Sequence, residues 1–308
     1  MTDLAAVLGS LPVPPAPLPE DRRPLLRDLR DRIYRQGFSR PAGAPPVQRA
    51  PAPDLVRSLS AANHGRDAWI PGWRVEEAGA GGRAVISRGA LRRAVRAGEY
   101  VLTFSEDLPP RAGCAATLRH RRESLTLQPG LYYAFGDALA EPGDDGTTLR
   151  LYFHAAQESA VPVFEILTAG LNALEVPFTL KSMLRPEDAD RADATLLYLP
   201  ARRFPAVAGA LRRSSPLLRA CLMPAVPLFT KRLAPGIGLA ESPGNGESFG
   251  MHRCRLVAEG VVESWSAGRR DAESLRESVE RRFAADGLAL DRPYLNPGSE
   301  DVYRLEDR

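Results

Sequence analysis

The stretch LRLYFHAAQESAVPVFEILTAGLNALEVPFTLKSMLRPEDADRADATLLYLP, residues 149–200, decides the fold. Its first residues alternate: Leu149, Leu151 and Phe153 fall on one face and Arg150, Tyr152 and His154 on the other, the period-two pattern of a half-buried strand. Ser159 is then placed to cap a helix with Val163, Ile166, Leu167, Leu171 and Leu174 on its inner face, ending before Pro177. VPFTLKSML predicts a second strand, with Thr179 and Lys181 opposite Phe178 and Leu180. ATLLYLP predicts a third, and FPAVAGALRRSSPLL a helix after it. Strand, helix, strand, strand, helix implies an α+β fold, a mixed sheet covered by helices.

Outward from that block the text is less regular. EDRRPLLRDLRDRIYRQGF reads as a short helix, with Leu25, Leu26, Leu29 and Ile33 at helical spacing, between Pro- and Ala-rich flanks at 1–20 and 40–53. From Trp69 to Gly136, glycines punctuate short strand-like pieces, so the N-terminal half is expected to be irregular and β-containing. PLFTKRLAPGIGLAESPGNGESFGMHRCRL predicts a long loop or hairpin, and 270–285 a terminal amphipathic helix. The expected division is a Pro-rich segment with a short helix (1–54), a β-containing peptide-binding platform (55–140) and an α+β domain (141–308).

Composition narrows the function. The chain has 308 residues, 44% hydrophobic and 26% charged, as in a globular protein. Net charge is only +3 and no tract interleaves arginine with aromatics, which argues against nucleic acid. No basic region precedes an apolar core at the N-terminus and no run approaches a membrane span, so a cytoplasmic location is expected. Cys114, Cys221 and Cys254 lack zinc or disulfide spacing, and the histidines form no ligand motif, so no metal is expected. Phosphate-loop, dinucleotide and serine-elbow motifs are missing, and no cofactor is implied.

The two lysines, Lys181 and Lys231, stand out because the chain meets its remaining need for cations with arginine. Arginine stays protonated, whereas an amine neutralised by burial or by neighbouring cations accepts a proton. Arg150, Tyr152, His154, Lys181, Arg191, Tyr198, Lys231, Arg232, His252 and Arg253 make a cationic set suited to a phosphate ester, with lysine, histidine and tyrosine as the acid–base candidates. This inventory fits β-elimination of phosphate from phosphoserine or phosphothreonine. Each residue also has a plainer reading. His154 suits a satisfied core histidine, Tyr152 and Tyr198 half-buried strand aromatics, and Arg191 a partner of Asp188, Asp190 or Asp193. Arg232, His252 and Arg253 suit loop surface, GNG at 244–246 suits a turn, and codon bias alone would leave few lysines.

Residues 149–204, PLFTKRLAPGIGLAESPGNGESFGMHRCRLVAEG, DRPYLNPG, LSAANHGRDAWIPGWRV and PGLYYAFGDAL together resemble the HopA-type effector family over roughly residues 55–300. Bacterial members of that kind accompany kinase-like proteins in clusters for fifth-class lanthipeptides and thioamitides, and the family is distantly similar to phosphothreonine lyases. The resemblance implies a phosphothreonine-lyase-like fold. It also implies a lyase that forms dehydroalanine or dehydrobutyrine in a ribosomal precursor peptide, after a separate kinase and without a cofactor. In the lyases a Lys-x-His strand supplies a phosphate-binding lysine and the general acid; here Tyr152 stands at the lysine position and His154 keeps the histidine. Lys181 falls where the base lies, and Arg191 and Arg253 where phosphate-binding arginines lie. Lys231 or Arg150 would restore the missing charge, with Arg232 beside them and Tyr198 and His252 as accessories. The alternative is a non-catalytic subunit with a lyase fold that binds the precursor peptide or the kinase.

Overall fold

The computed structural model describes residues 2–13, 18–40, 54–104, 108–141, 143–144 and 146–305, so the Pro-rich text at 41–53 lies outside the described residues. Two antiparallel sheets organise the chain. Strands β1 (Ala68–Ala78), β2 (Ala84–Arg88), β3 (Leu91–Val95), β4 (Tyr100–Leu102) and β5 (Ala115–His120) form a five-stranded sheet in the order β3-β2-β1-β5-β4. Strands β6 (Glu123–Ser124), β7 (Leu131–Phe135), β8 (Thr148–Phe153), β9 (Thr179–Met183), β10 (Thr195–Pro200), β11 (Lys231–Ala234) and β12 (Ile237–Glu241) form a seven-stranded sheet in the order β11-β12-β8-β10-β9-β7-β6. The helices are α1 (Thr2–Gly9), α2 (Arg23–Ile33), α3 (Leu55–Ala62), α4 (Gln157–Ala173), α5 (Phe204–Arg213), α6 (Ser215–Cys221), α7 (Phe249–Ser266) and α8 (Ala272–Ala285).

The α+β class follows from residues 149–200, but every strand pairing in the large sheet is antiparallel rather than mixed. The reason is the order of insertion. Helix α4 carries the chain from β8 across to β9, which leaves those two strands running the same way, and β10 then slots between them antiparallel to both. Helix α4 also starts earlier than Ser159 would dictate. The extended backbone at Ala156 opens it, and the buried Gln157 side chain donates to the carbonyls of Leu184 (3.0 Å) and Arg185 (3.2 Å), tying the helix start to the end of β9.

Alternation along β8 divides the core. Leu149, Leu151 and Phe153 pack with Val163, Phe164 and Leu167 of α4 on one face, in a cluster that also holds residues of α3, α5 and α6. On the other face Tyr152, Leu196 and Ala240 meet a second layer made by α1, α2, α7 and α8. Burying each large apolar side chain contributes about 1.5–3 kcal/mol, so two such layers account for much of the stability. The layers close tightly where glycine allows it. A Cβ at Gly260 on α7 would stand 2.6 Å from the Val279 Cα of α8, and one at Gly250 would stand 2.5 Å from the Phe38 ring.

Three boundaries differ from the sequence reading. Strands β6 and β7 join the seven-stranded sheet, so the break between sheets falls between β5 and β6 rather than at 140, because β7 pairs with β9 along Leu131–Phe135. Helices α1 and α2 belong to the second core layer instead of forming a separate N-terminal segment. The MHRCR text is not loop. The expected hairpin is β11 and β12, and the chain then enters α7 at Phe249, capped by Ser248, whose hydroxyl accepts from the Met251 amide at 3.4 Å.

Candidate active site

The second helical layer covers β12, β8 and part of β10, then stops. Beyond its edge the same sheet face opens into a cleft of ≈ 520 Å³ floored by Tyr152, Leu196, Tyr198, Lys181 and Met183. Strand register explains the grouping: Lys181 on β9 lies opposite Leu196, which lies opposite Tyr152, and one step along, Thr179 lies opposite Tyr198, which lies opposite Arg150. Period-two alternation then sends all these side chains to one face. Tyr133 on β7, opposite Lys181, flanks the lysine.

Lys181 sits over the faces of two aromatic rings, with Nζ 5.4 Å from the Tyr198 centroid and 6.0 Å from that of Tyr133. Arg150 stacks on the other side of the site, its Cζ 5.3 Å from the Tyr198 centroid, and its Nε donates to Ser242 Oγ at 2.8 Å. Its guanidinium also lines the cleft and hydrogen-bonds the neighbouring Tyr152 phenol. Arg185 also lines the cleft, and neither Lys181, Arg150 nor Arg185 has a carboxylate partner among the described residues. The start of α7 closes one side through Gly246, Ser248, Gly250 and Met251. Amides at a helix start favour an anion beside them. Cations without carboxylate partners beside the start of a helix make a site suited to a phosphate group.

Arg191 lines the cleft as well, but its charge is already engaged. Nε and Nη2 donate to Asp193 at 2.9 and 2.8 Å, Nη1 donates to Asp188 at 3.1 Å, and Nη2 also reaches the Tyr34 hydroxyl at 3.0 Å. Burial opposes the guanidinium charge, yet Asp193, Tyr34 and Asp188 outweigh it and hold Arg191 firmly protonated. Burial and then Asp193 push the Tyr34 phenol far above the ordinary tyrosine range. This cluster is a wall, built by the π-helical turn Tyr34–Phe38 and the loop after β9. Arg40 reinforces it, donating to Asp190 at 3.0 Å and to the Glu187 carbonyl at 2.8 Å.

Of the remaining sequence candidates, Tyr152 belongs to the cleft floor and the others lie elsewhere. Tyr152 is 2% exposed, held edge-on to Phe38, and burial pushes its phenol well above the usual range, so it supplies a neutral floor to the cleft. His154 does not line the cleft. Its Nδ1 lies 3.1 Å from the Ala225 carbonyl and its Nε2 3.4 Å from the Asp190 carbonyl, and burial lowers its pKa ahead of the opposing pull of those carbonyls. A neutral imidazole carries one N–H and so donates to one of the two. His154 thereby braces the loop that carries Arg191. Lys231 is bound to both oxygens of Asp301 at 2.6 Å, and Arg232 donates to the Pro224 carbonyl. Arg253 is 1% exposed and donates to the carbonyls of Pro293 and Leu295 and to His252, burial pushing its pKa down to about 10. His252 is held neutral by burial and then by Arg253. These four bind the hairpin and C-terminal loop into the fold.

The structure therefore brings together Lys181, Arg150, Tyr152, Tyr198 and Arg191, and leaves His154, Lys231, Arg232, His252 and Arg253 outside. Sequence reasoning missed Arg185, Tyr34, Tyr133 and the start of α7. Arg185 had a visible signal, four residues past Lys181 at a strand end. Tyr34 had none, because it reaches the site from 159 residues before Asp193. Among the described residues no group of histidine, cysteine and carboxylate side chains is arranged to hold a metal ion. No helix among them is long and apolar enough to cross a membrane.

A model of the HopA1 effector protein family matches residues 122–295, which carry the cleft floor and the start of α7 but not the Tyr34–Phe38 turn. The chain is similar to the solved structure of an effector protein from Pseudomonas syringae pv. tomato strain DC3000. The TM-score is 0.51 and the identity 15%, over 96% of this chain and 95% of that one. It is similar also to that of an effector protein from Pseudomonas syringae pv. syringae strain 61, with TM-score 0.51 and 11% identity, over 96% and 97% of the two chains. At these identities the likeness is one of fold. No curated protein matches the chain.

Proposed function

The chain belongs to the HopA1 effector protein family, and from that premise we propose that it is a lyase that eliminates phosphate from phosphoserine or phosphothreonine in a peptide, leaving dehydroalanine or dehydrobutyrine. The observation that carries the reading is the contrast between the two lysines. Lys231 is tied to Asp301, whereas Lys181 stands without a carboxylate partner in a cleft with Arg150 and Arg185. A free amine beside fixed cations, on a wall of helix amides, joins a base to a phosphate site.

In this reading the phosphate is held by Arg150, Arg185 and the amides at the start of α7. Lys181 takes the α-proton, the electrons of that C–H bond form the Cα=Cβ double bond, and the Cβ–O bond breaks with its electron pair on the leaving oxygen, which takes up a proton so that phosphate departs as hydrogen phosphate. Fixed positive charge stabilises the departing hydrogen-phosphate dianion, and Tyr198, whose ring lies against both Lys181 and Arg150, supplies the proton to the leaving oxygen in this reading. Tyr152 and Leu196 keep the floor dry. The substrate in this reading is a ribosomal precursor peptide phosphorylated by a separate kinase-like protein, as in lanthipeptide biosynthesis, and the family resemblance is what supports that choice.

A second reading is a non-catalytic subunit that binds the phosphorylated precursor or the kinase. One observation favours it: His154, which the resemblance makes the general acid, faces backbone carbonyls outside the cleft. Incubating the protein with a phosphoserine peptide and recording mass spectra separates the two. Elimination removes phosphoric acid and leaves a product that adds thiols; binding alone leaves the peptide mass unchanged.

A further inference from the structure

A groove of ≈ 520 Å³ runs between the two sheets and meets the cleft at Tyr198, which lines both. Thr179, Lys181 and Met183 follow one another on the same face of β9, with Thr179 on the groove side and Met183 on the cleft side. At ~3.3 Å per residue this row is about 13 Å long. The two depressions thus share one floor.

The groove is cationic for a reason the catalytic reading does not use. Arg93 on β3, Arg119 on β5 and Arg121 just after β5 line it, all exposed and none with a carboxylate partner among the described residues. Arg119 lies over the half-exposed Trp69 ring at 6.0 Å. Of the two acids in the lining, Asp144 is already paired, and Glu99 offsets at most one of the three arginines. Asp144 is held by Arg202 and Arg203, and Glu99 accepts from the Arg96 amide at 2.9 Å. Arg93 sits on an edge strand of the small sheet and Arg119 and Arg121 at the end of β5, so the three arginines come to the groove from the smaller sheet while the larger one supplies the floor.

We propose that this groove binds an acidic segment of the same peptide whose phosphorylated residue occupies the cleft, so that aspartate or glutamate about three to six residues from the phosphoresidue selects the substrate. The proposal rests on the cleft being the phosphopeptide site. It names what the small sheet adds: charge recognition of the peptide flank, separate from the phosphate itself.

The test measures binding first, so that it stands apart from turnover. Fluorescein-labelled, unphosphorylated peptides carrying a Glu-Glu-Glu, Ala-Ala-Ala or Lys-Lys-Lys block on either side of a central serine are titrated by anisotropy against the full chain. The glutamate peptide should bind at least tenfold more tightly than the alanine one, and the advantage should shrink as salt shortens the screening length from ~10 Å at 0.1 M to ~3 Å at 1 M. In the double variant R93E/R121E the order should invert, with the lysine peptide binding best; a misfolded protein cannot gain that affinity. Equal binding of the three peptides by the wild type, or an unchanged order in the double variant, overturns the groove assignment. If phosphopeptides are eliminated with the same KM whatever their flank, the groove fails and the lyase reading stands. If the glutamate preference and its inversion appear without elimination, the groove stands and the lyase reading fails.

Discussion

Replacing Arg150 with alanine tests whether the cleft, rather than the cationic residues at large, holds the phosphate. Arg150 has five N–H donors; Ser242 occupies the one on Nε, which leaves the terminal nitrogens for a ligand. Hydrogen bonds to a charged group contribute about 1.5–3 kcal/mol. At tenfold per ~1.4 kcal/mol, the phosphopeptide Kd should rise about tenfold to a hundredfold. The unphosphorylated peptide should change by less than about threefold, a difference under ~0.7 kcal/mol. Lys231→Ala is the matched control, because it removes an equal charge whose partner is Asp301 and not the cleft. Calorimetric titration of both peptides against both variants decides it. Equal losses for the two peptides, or a Lys231→Ala loss as large as that of Arg150→Ala, would refute the assignment of the phosphate to this side of the sheet.

The fold yields further expectations. Arg253→Met strands the carbonyls of Pro293 and Leu295 and should cost about 1–3 kcal/mol for each in urea unfolding, with phosphopeptide affinity retained; a loss of affinity in the folded variant would place Arg253 in the site. Gly260→Ala drives a Cβ against the α8 backbone and should cost about 1–3 kcal/mol; an unchanged unfolding midpoint would show that the two helices separate freely. Burial opposes ionisation of Asp301, but hydrogen bonds from Lys231 and Tyr294 outweigh it and hold the carboxyl below the usual range. A depressed carboxylate stabilises the fold above its unfolded value of about 3.9 and loses that contribution as pH falls through the folded value. Lys231→Met should therefore be less stable than wild type at pH 7, with the gap closing in acid; a gap independent of pH would contradict the pairing.

Residues 149–200 announced their strands and helix because alternation and helical spacing depend on near neighbours, and there the text and the structure agree closely. What stayed hidden depends on distant ones. Nothing local reveals that β10 inserts between β8 and β9, or that β6 and β7 pair away from the small sheet. For the site, Lys181, Arg150 and Tyr198 were legible because they share one strand face pattern. Lys231 and Arg253 carry the same formal charge, yet each is consumed by a partner reached only through the C-terminal loop, Asp301 in one case and the carbonyls of Pro293 and Leu295 in the other. A sequence records charge but not whether it is already spent. Arg191 was the intermediate case, since the neighbouring Asp188 and Asp193 that engage it stand beside it in the text.

The central claim is that Lys181 is the base of an elimination, and one comparison tests it most directly. Wild type and Lys181→Arg are incubated with the same phosphoserine peptide, and dehydroalanine is counted by mass spectrometry after thiol addition. Arginine keeps the charge and the phosphate affinity but cannot accept the proton at neutral pH. Wild type should convert the peptide, and the variant should bind it within a few-fold yet form no dehydroalanine. Conversion by Lys181→Arg within about tenfold of wild type, a barrier difference under ~1.4 kcal/mol, or no conversion by wild type at all, would contradict the claim.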